Sequence, residues 1–200
     1  MRTVAFNRVK NVQSGFTIVE LMIAATIFSV ILLMVGGTIV RFTNTFQRGV
    51  VETSTQTVAR NIVDVIAQAL QNGAGAAESP GEYCIGTTRY TFKQNVMLTS
   101  DPGAYALKEE TGLGESCAGT PIQTQELLSD NMRLAYFKID RVASTTDLWT
   151  VKVRVAYGAD DLLDYPDPDD DLKENPVCKS EAGFQFCAVR DLSTTVKSWL

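Results

Sequence analysis

The amino-acid sequence predicts an α+β fold in which a long N-terminal helix, transmembrane in its first half, packs on an antiparallel β-sheet head. Three patterns in the 200 residues support this prediction. Residues 21–40 carry no charge, apolar residues then recur at helical spacing as far as Asn72 and Gly73, and residues 149–157 alternate between apolar and polar side chains. A helix laid across an antiparallel sheet gives an α+β domain with one shared core.

The uncharged segment at residues 21–40 is long enough to cross a membrane. Twenty residues in an α-helix extend about 30 Å, which is the thickness of the hydrocarbon core. Upstream, a short leader contains Arg2, Arg8 and Lys10 and no acidic residue. Because positive charge favours the cytoplasmic side, we expect the leader in the cytoplasm and the C-terminal head outside.

Residues 41–72 are expected to continue the same helix as an amphipathic segment. Its pattern ends at a glycine cap signal formed by Asn72 and Gly73. The polar side carries Gln47, Arg48, Glu52, Gln56, Arg60 and Asp64. The apolar side, which we expect to face the core, carries Val51, Thr55, Val58, Ile62, Val65, Ile66, Ala69 and Leu70.

Residues 73–200 are expected to form the head, and its clearest predicted element is a β-hairpin. Residues 149–157 alternate as a half-buried strand does, and residues 132–142 are rich in aromatic and β-branched side chains. A polar turn at residues 143–147 separates the two. The pair is therefore predicted to be antiparallel.

The remaining head segments give weaker signals. Strands are predicted at residues 83–92 and 184–190, and a short helical turn is predicted at residues 124–129. The segments 73–81 and 100–121 are rich in small and turn-forming residues, so they are interpreted as loops.

Composition argues against two classes of function. The chain has no histidine, which removes the usual general base and the usual zinc ligand. No part of the exported segment combines basic and aromatic residues as a nucleic-acid groove does, so direct nucleic-acid binding is not expected. We therefore expect neither an enzyme nor a cofactor.

All four cysteines lie on the far side of the membrane segment from the leader. An even number in an exported domain favours disulfides, and three pairings are possible. We favour Cys84 with Cys117 and Cys178 with Cys187, because each pair closes its own loop. Zinc is a weaker alternative, since no two cysteines stand in CxxC spacing.

An acidic segment at residues 160–174 holds eight acids against Lys173. Asp167, Asp169 and Asp171 stand at alternate positions, which is a weak indication of a calcium site. The segment has no turn glycine and no closing glutamate in the places where an EF-hand loop has them. A solvated loop is the favoured interpretation, and no metal is expected.

Glu20 is a carboxylate inside an apolar run that extends from residue 16 to residue 40. Such a residue costs roughly 3 kcal/mol near the centre of a membrane helix, so it usually marks a function. The stretch Gly15-Phe16-Thr17-Ile18-Val19-Glu20-Leu21-Met22 resembles the cleavage and methylation signature of type IV prepilins and type II secretion pseudopilins.

The resemblance implies four segments: a cytoplasmic leader at 1–15 that is removed, a transmembrane and assembly helix at 16–40, its amphipathic continuation at 41–72, and the head. It further implies cleavage between Gly15 and Phe16 by a prepilin peptidase, methylation of the new amine, and contact of Glu20 with the N-terminus of a neighbouring subunit. The implied partners are other pilin subunits, membrane lipid, and an inner-membrane platform with its ATPase.

Other interpretations stay open at this point. The predicted mature length and the diverse head suggest a minor subunit that resembles the J-type minor pseudopilins. A pilus, a secretion system or a DNA-uptake system could each use such a subunit. The alternative is a membrane-anchored binding or adhesin module that does not polymerise. An ordinary signal peptide fits poorly, since its apolar region is shorter and is followed by the small residue rather than preceded by it.

Overall fold

Helix α1 begins at Ile18 and ends at Asn72. It is seen in a computed structural model that describes residues 15–73, 75–99, 103–142, 147–165, 175–180 and 183–199. By their internal contacts the residues divide into two units, Met1–Thr43 and Asn44–Leu200. The first contains the apolar part of α1, and the second contains the rest of α1 together with every strand.

The first part of α1 is long and apolar enough to cross a membrane, as judged by length and composition. None of its most apolar 18-residue stretch is buried inside the protein. A helix whose apolar side chains have no protein to cover them needs another apolar environment, either lipid or other helices.

The second part of α1 provides one wall of the head's core. The helix residues buried there are Thr55, Ala59, Ile62, Val63, Ile66 and Leu70. The predicted stripe is mostly confirmed, although Val51, Val58, Val65 and Ala69 are only partly buried. Thr55 is tolerated inside because its hydroxyl donates to the carbonyl of Val51 at 2.8 Å.

Within the described residues, ten β-strands follow the helix and form three antiparallel sheets. The first sheet has the order β1-β2-β3-β4-β5, the second β10-β7-β6, and the third pairs β8 with β9. The strands are β1 (Ala76–Ser79), β2 (Glu82–Ile85), β3 (Thr88–Phe92), β4 (Leu107–Thr111), β5 (Gln123–Glu126), β6 (Met132–Arg141), β7 (Leu148–Tyr157), β8 (Leu163–Asp164), β9 (Val177–Cys178) and β10 (Ala188–Lys197). A long N-terminal helix packed on antiparallel sheets is the α+β fold that the sequence predicts.

One apolar cluster joins the helix to the two larger sheets. It brings Ile62 and Ile66 of α1 together with Val151 and Val153 of β7 and with Tyr83 of β2. Tyr83 also packs against Phe92 and Phe137, and the centroids of these three rings lie 5.2–5.7 Å apart. Burying each large aliphatic side chain contributes about 1.5–3 kcal/mol, so this cluster is what holds the head to its helix.

The predicted hairpin is confirmed as β6 and β7, which pair antiparallel from Met132 opposite Tyr157 to Arg141 opposite Trp149. Residues 143–146 of its predicted turn lie outside the described residues. The strand predicted at residues 184–190 begins only at Ala188, after a 3₁₀ turn, and continues to Lys197.

Three weaker predictions are wrong in part. Residues 83–92 form two strands rather than one, because Gly86 adopts a left-handed φ of 62° and turns the chain. The segments interpreted as loops contain β1 and β4. Both strands are short, and β4 carries a lysine and two glutamates, so neither shows an apolar alternation.

The helical turn predicted at residues 124–129 is also wrong, because this segment contains β5. Glu126 explains the difference. Its carboxylate accepts hydrogen bonds from the backbone N–H groups of Ala106, Leu107 and Leu128 at 3.1, 2.9 and 3.1 Å. This long-range contact fixes β5 beside β4, and no local pattern indicates it.

Candidate functional site

The predicted cleavage junction lies just before α1 begins. Gly15 and Phe16 are not helical, and Phe16 is 83% exposed. A methyl group placed at the Cα of Gly15 would meet no atom within 4 Å. Exposed backbone outside regular structure is the kind that proteases cut. The rest of the leader, including Arg2, Arg8 and Lys10, lies outside the described residues.

Glu20 lies in the first turn of α1 and is bonded to Thr17. The backbone N–H and the hydroxyl of Thr17 each donate to Oε2 of Glu20 at 2.9 Å. The N–H of Glu20 donates back to Oγ1 of Thr17 at 3.3 Å. This reciprocal pair is a capping box, which satisfies two of the N–H groups that a helix start leaves without partners.

Sequence reasoning missed the role of Thr17, although its signal was present. Threonine followed by glutamate three residues later, ahead of an apolar run, is the pattern of a capping box. A carboxylate in the first helical turn also interacts favourably with the helix dipole. Glu20 therefore stabilises the start of its own helix in addition to any role with a partner.

The cap bears on how Glu20 could meet another subunit. Oε2 of Glu20 holds the backbone N–H of Thr17, the residue that follows Phe16. If the chain is cut after Gly15, the new amine lies one residue before this contact. The start of the mature helix would then present a positive amine and a fixed carboxylate within one turn, which is an arrangement that can pair with a copy of itself.

The four cysteines form two disulfides, Cys84 with Cys117 and Cys178 with Cys187. This is the pairing favoured from the sequence. The first joins β2 to the segment after β4, and the second joins β9 to the start of β10. Cys117 and Cys187 are buried, so both bridges lie against the body of the head.

The weak calcium candidate cannot be placed, because Asp167, Asp169 and Asp171 lie outside the described residues. Within the described ranges, no group of three or more histidine, cysteine, aspartate or glutamate side chains is arranged to hold a metal.

A second candidate site, which sequence reasoning missed, is a pocket of about 610 Å³ in the head. Arg48 and Glu52 of α1 form one wall, and the chain around β9 and the start of β10 forms the others. The sequence pattern places both helix residues on the polar face of α1 and predicts no site there. Residue 48 is far in sequence from residues 179 and 190, so no spacing could have indicated that α1 meets this part of the head.

Comparison with known proteins places a family signature on the N-terminal site. Residues 10–36 match the prokaryotic N-terminal methylation motif, and this range contains Gly15, Phe16, Thr17 and Glu20. No curated protein and no solved structure matches the chain. The match therefore covers the N-terminal segment and does not extend to the head.

Proposed function

Because this chain is a type IV pilin-like protein with an N-terminal methylation motif, we propose that it is a minor pilin or pseudopilin that polymerises through helix α1. The pilin family is structural rather than enzymatic. The proposed subunit is cut after Gly15, methylated on the amine of Phe16 and added to a filament. It has no chemistry of its own.

One observation supports this function best. The methylation motif at residues 10–36 covers an exposed, non-helical junction that leads directly into a helix with an uncovered apolar surface. A processing enzyme needs the first of these features, and a helical filament core needs the second. An ordinary anchor needs only the apolar helix.

In the proposed pathway, the subunit first spans the cytoplasmic membrane with its leader inside and its head outside. A prepilin peptidase removes residues 1–15 and methylates Phe16. An inner-membrane platform and a cytoplasmic ATPase then extract the helix from the membrane into the growing filament. The methylated amine keeps its positive charge, so it can pair with Glu20 of a neighbouring subunit.

This pairing explains why a carboxylate is retained in an apolar segment. In lipid, a carboxylate at Glu20 is unfavourable, and the bonds from Thr17 offset this cost only in part. In a filament, the ammonium of a neighbour compensates the charge. The free energy difference favours the assembled state and sets the axial register of one helix against the next.

The head supports a minor subunit, resembling the J-type minor pseudopilins, over an abundant one. In the part of the head that the structure describes, there are ten strands in three sheets and a pocket with mixed charges, features that could serve a specialised contact. The pocket is also compatible with the alternative function, which is a membrane-anchored binding module that does not polymerise.

The test is to follow the full chain in cells through mass spectrometry of membranes and of sheared filaments. We expect the mature chain to begin at Phe16 and to carry one added methyl group. In a strain without prepilin peptidase, the same chain should keep residues 1–15 and stay in the membrane. A start at Met1 in the wild-type strain, or a cut beyond residue 40, would contradict the proposed function. A processed chain found only in membranes would support the binding module.

A further inference from the structure

Strand β10 lies at one edge of its sheet. Among the residues that the structure describes, its ladder partner along the whole length Ala188–Lys197 is β7. At the other edge, the outer side of β6 is bridged by residues 94 and 97. The β10 edge, residues 191–197, lies beyond β9, which the disulfide of Cys178 with Cys187 joins to the start of the strand. An edge of this length presents backbone groups to which another strand can pair.

Hydrogen bonds at the end of β10 show which residues direct their backbone groups outward. The N–H of Ser198, one residue past the strand, donates to the carbonyl of Asp147 on the β7 side at 2.8 Å. Because this direction alternates along a strand, the N–H and C=O of Lys197 point away from β7. The register with β7 continues without a shift, so the same holds for every second residue of the edge: Thr195, Ser193 and Asp191.

The two faces of the β10 edge differ in polarity. Asp191, Ser193, Thr195 and Lys197 are exposed. On the other face, Leu192 and Val196 pack against the core of the head. The edge therefore carries one acid and one base on its solvent side, six positions apart.

Charged side chains on an edge strand usually keep other strands away. An antiparallel copy of the same strand reverses this effect in one register. When a two-fold axis passes through Thr194, Asp191 of each copy lies opposite Lys197 of the other. Outward backbone groups then meet outward backbone groups, which gives about eight hydrogen bonds. Moving the axis by one residue places Asp191 opposite Thr195 or Trp199, and both ion pairs are lost.

From this register we propose that the head binds a second copy of itself through the β10 edge, with the two-fold axis at Thr194. The pairing joins the two three-stranded sheets into one continuous sheet. On the solvent side, charges alternate across it: Arg154 of β7 donates to Asp191 at 3.2 Å, and Lys197 of the second copy lies on the other side of that carboxylate. On the core side, Leu192 of each copy lies opposite Val196 of the other.

The symmetry of this contact separates it from filament assembly. A two-fold pairing uses the same patch on both copies, whereas successive subunits of a filament meet head to tail through two different patches. The β10 pairing therefore joins copies that are not successive subunits of one filament, such as heads of two filaments that lie side by side. It is a further contact of the head, independent of α1.

The test uses the full chain in detergent, with single cysteines introduced in the β10 edge. All four native cysteines are in disulfides, so each new thiol reports alone. Oxygen with a copper catalyst oxidises thiols that lie close together, and a non-reducing gel measures the linked dimer. Thr194→Cys should link to itself, because the two copies of this residue face each other on the axis with Cα atoms about 4.5 Å apart.

Ser193→Cys is the matched control, one residue away on the same strand. It should not link to itself, because its two copies lie diagonally, about 7–8 Å apart. Mixed with Thr195→Cys, however, it should link, since these residues lie opposite each other at about 5.5 Å. Absence of the Thr194→Cys dimer, or equal self-linking by Ser193→Cys, would overturn the proposed register.

Charge reversal tests the ion pairs. In the Thr194→Cys background, Lys197→Glu should reduce linking about fivefold, because each acid then faces another acid. Lys152→Glu is the control: this residue is exposed on the neighbouring strand, opposite Ser193. It makes the same change of charge away from the seam and should leave linking unchanged. Equal effects of the two variants would contradict the pairing.

A mixture of two variants provides the complementary measurement. Lys197→Glu and Asp191→Lys each place like charges opposite each other in their own dimers, whereas a dimer of one with the other restores both opposite-charge pairs. Linking in the mixture should therefore exceed linking in either variant alone, and an equal yield would contradict the proposal. None of these measurements depends on cleavage, methylation or filament incorporation, so failure of the β10 pairing would leave the proposed subunit function intact.

Discussion

Thr17 and Glu20 hold each other at the start of helix α1, since two donors of Thr17 lie 2.9 Å from one carboxylate oxygen of Glu20. The helix cap and the proposed pairing with a neighbour both use this carboxylate. The two roles need different properties of the Glu20 side chain: the cap requires an oxygen acceptor, whereas pairing with an ammonium requires a negative charge. Conservative substitutions can therefore separate the two roles.

We expect Glu20→Gln to impair filament incorporation as strongly as Glu20→Ala, although glutamine can still cap the helix. Thr17→Val removes the hydroxyl at a cost of about 1 kcal/mol to the helix start, but it keeps the charge, so incorporation should stay close to wild type. The measurement is the amount of subunit in sheared filaments relative to membranes. Cleavage should be normal in all three variants.

The opposite pattern would assign Glu20 to its own helix alone. In that case Glu20→Gln would incorporate normally, and Thr17→Val would be as harmful as Glu20→Ala. Such a result would remove the pairing step but would not affect the proposed cleavage site.

A second prediction concerns acid stability. Burial raises the pKa of Glu110, but hydrogen bonds and charges from Lys108 and Arg89 outweigh it, and the pKa lies below its ordinary value of 4.5. A carboxyl whose pKa is lowered by folding stabilises the protein above its unfolded pKa and loses this contribution as the pH falls through its folded pKa. The free energy of unfolding should therefore fall from about pH 4.5 downward.

Glu110→Gln should make the free energy of unfolding less dependent on pH below about pH 4.5, and it should lower this free energy at pH 7 by about 2 kcal/mol. Glu82→Gln is the matched control, because Glu82 is 4.0 Å from the same Arg89 and more exposed. The control should cost less than about 0.5 kcal/mol. Denaturant unfolding at several pH values measures both. If the free energy of unfolding of Glu110→Gln falls with decreasing pH as it does in the wild type, the pH dependence belongs to other carboxyl groups.

The third prediction concerns the disulfides. Peptide mapping without reduction should recover Cys84 linked to Cys117 and Cys178 linked to Cys187. The loops span 33 and 9 residues, and each bridge should contribute about 3 kcal/mol by restricting the unfolded chain. Replacing both members of one pair by serine should lower the midpoint of unfolding accordingly. Four free thiols in protein isolated from its exported state would contradict the structure.

The fourth prediction is that calcium does not bind the acidic segment. Millimolar calcium should leave the melting temperature of residues 44–200 unchanged, because Asp167, Asp169 and Asp171 have no turn glycine or closing glutamate to complete a coordination shell. A bound ion would stabilise the head by about 2.7 kcal/mol at a hundredfold excess over its Kd. A shift that vanishes in Asp169→Asn, and that matched ionic strength does not reproduce, would show a site.

Elements with a strong local pattern were predicted well from the sequence. The end of α1 at Asn72 and the hairpin of β6 and β7 follow from helical spacing, a glycine signal and a clear alternation. The strands β1, β4 and β5 were missed because their residues are mostly small, polar or charged. Such strands form only because neighbours and contacts such as those of Glu126 satisfy their polar groups.

The sequence by itself determined the N-terminal segment, because an apolar helix and its methylation motif depend on local order: a charge-free length, Gly15 and Phe16 at the proposed junction, and a carboxylate one turn later. Only the tertiary structure decided the head pocket. Arg48 comes from α1, whereas Lys179 and Arg190 come from the C-terminal part of the chain, and their meeting depends on how the segment of β9 and β10 packs against α1. Contacts between residues distant in sequence leave no periodic signal, so their chemistry becomes visible only once the chain is folded.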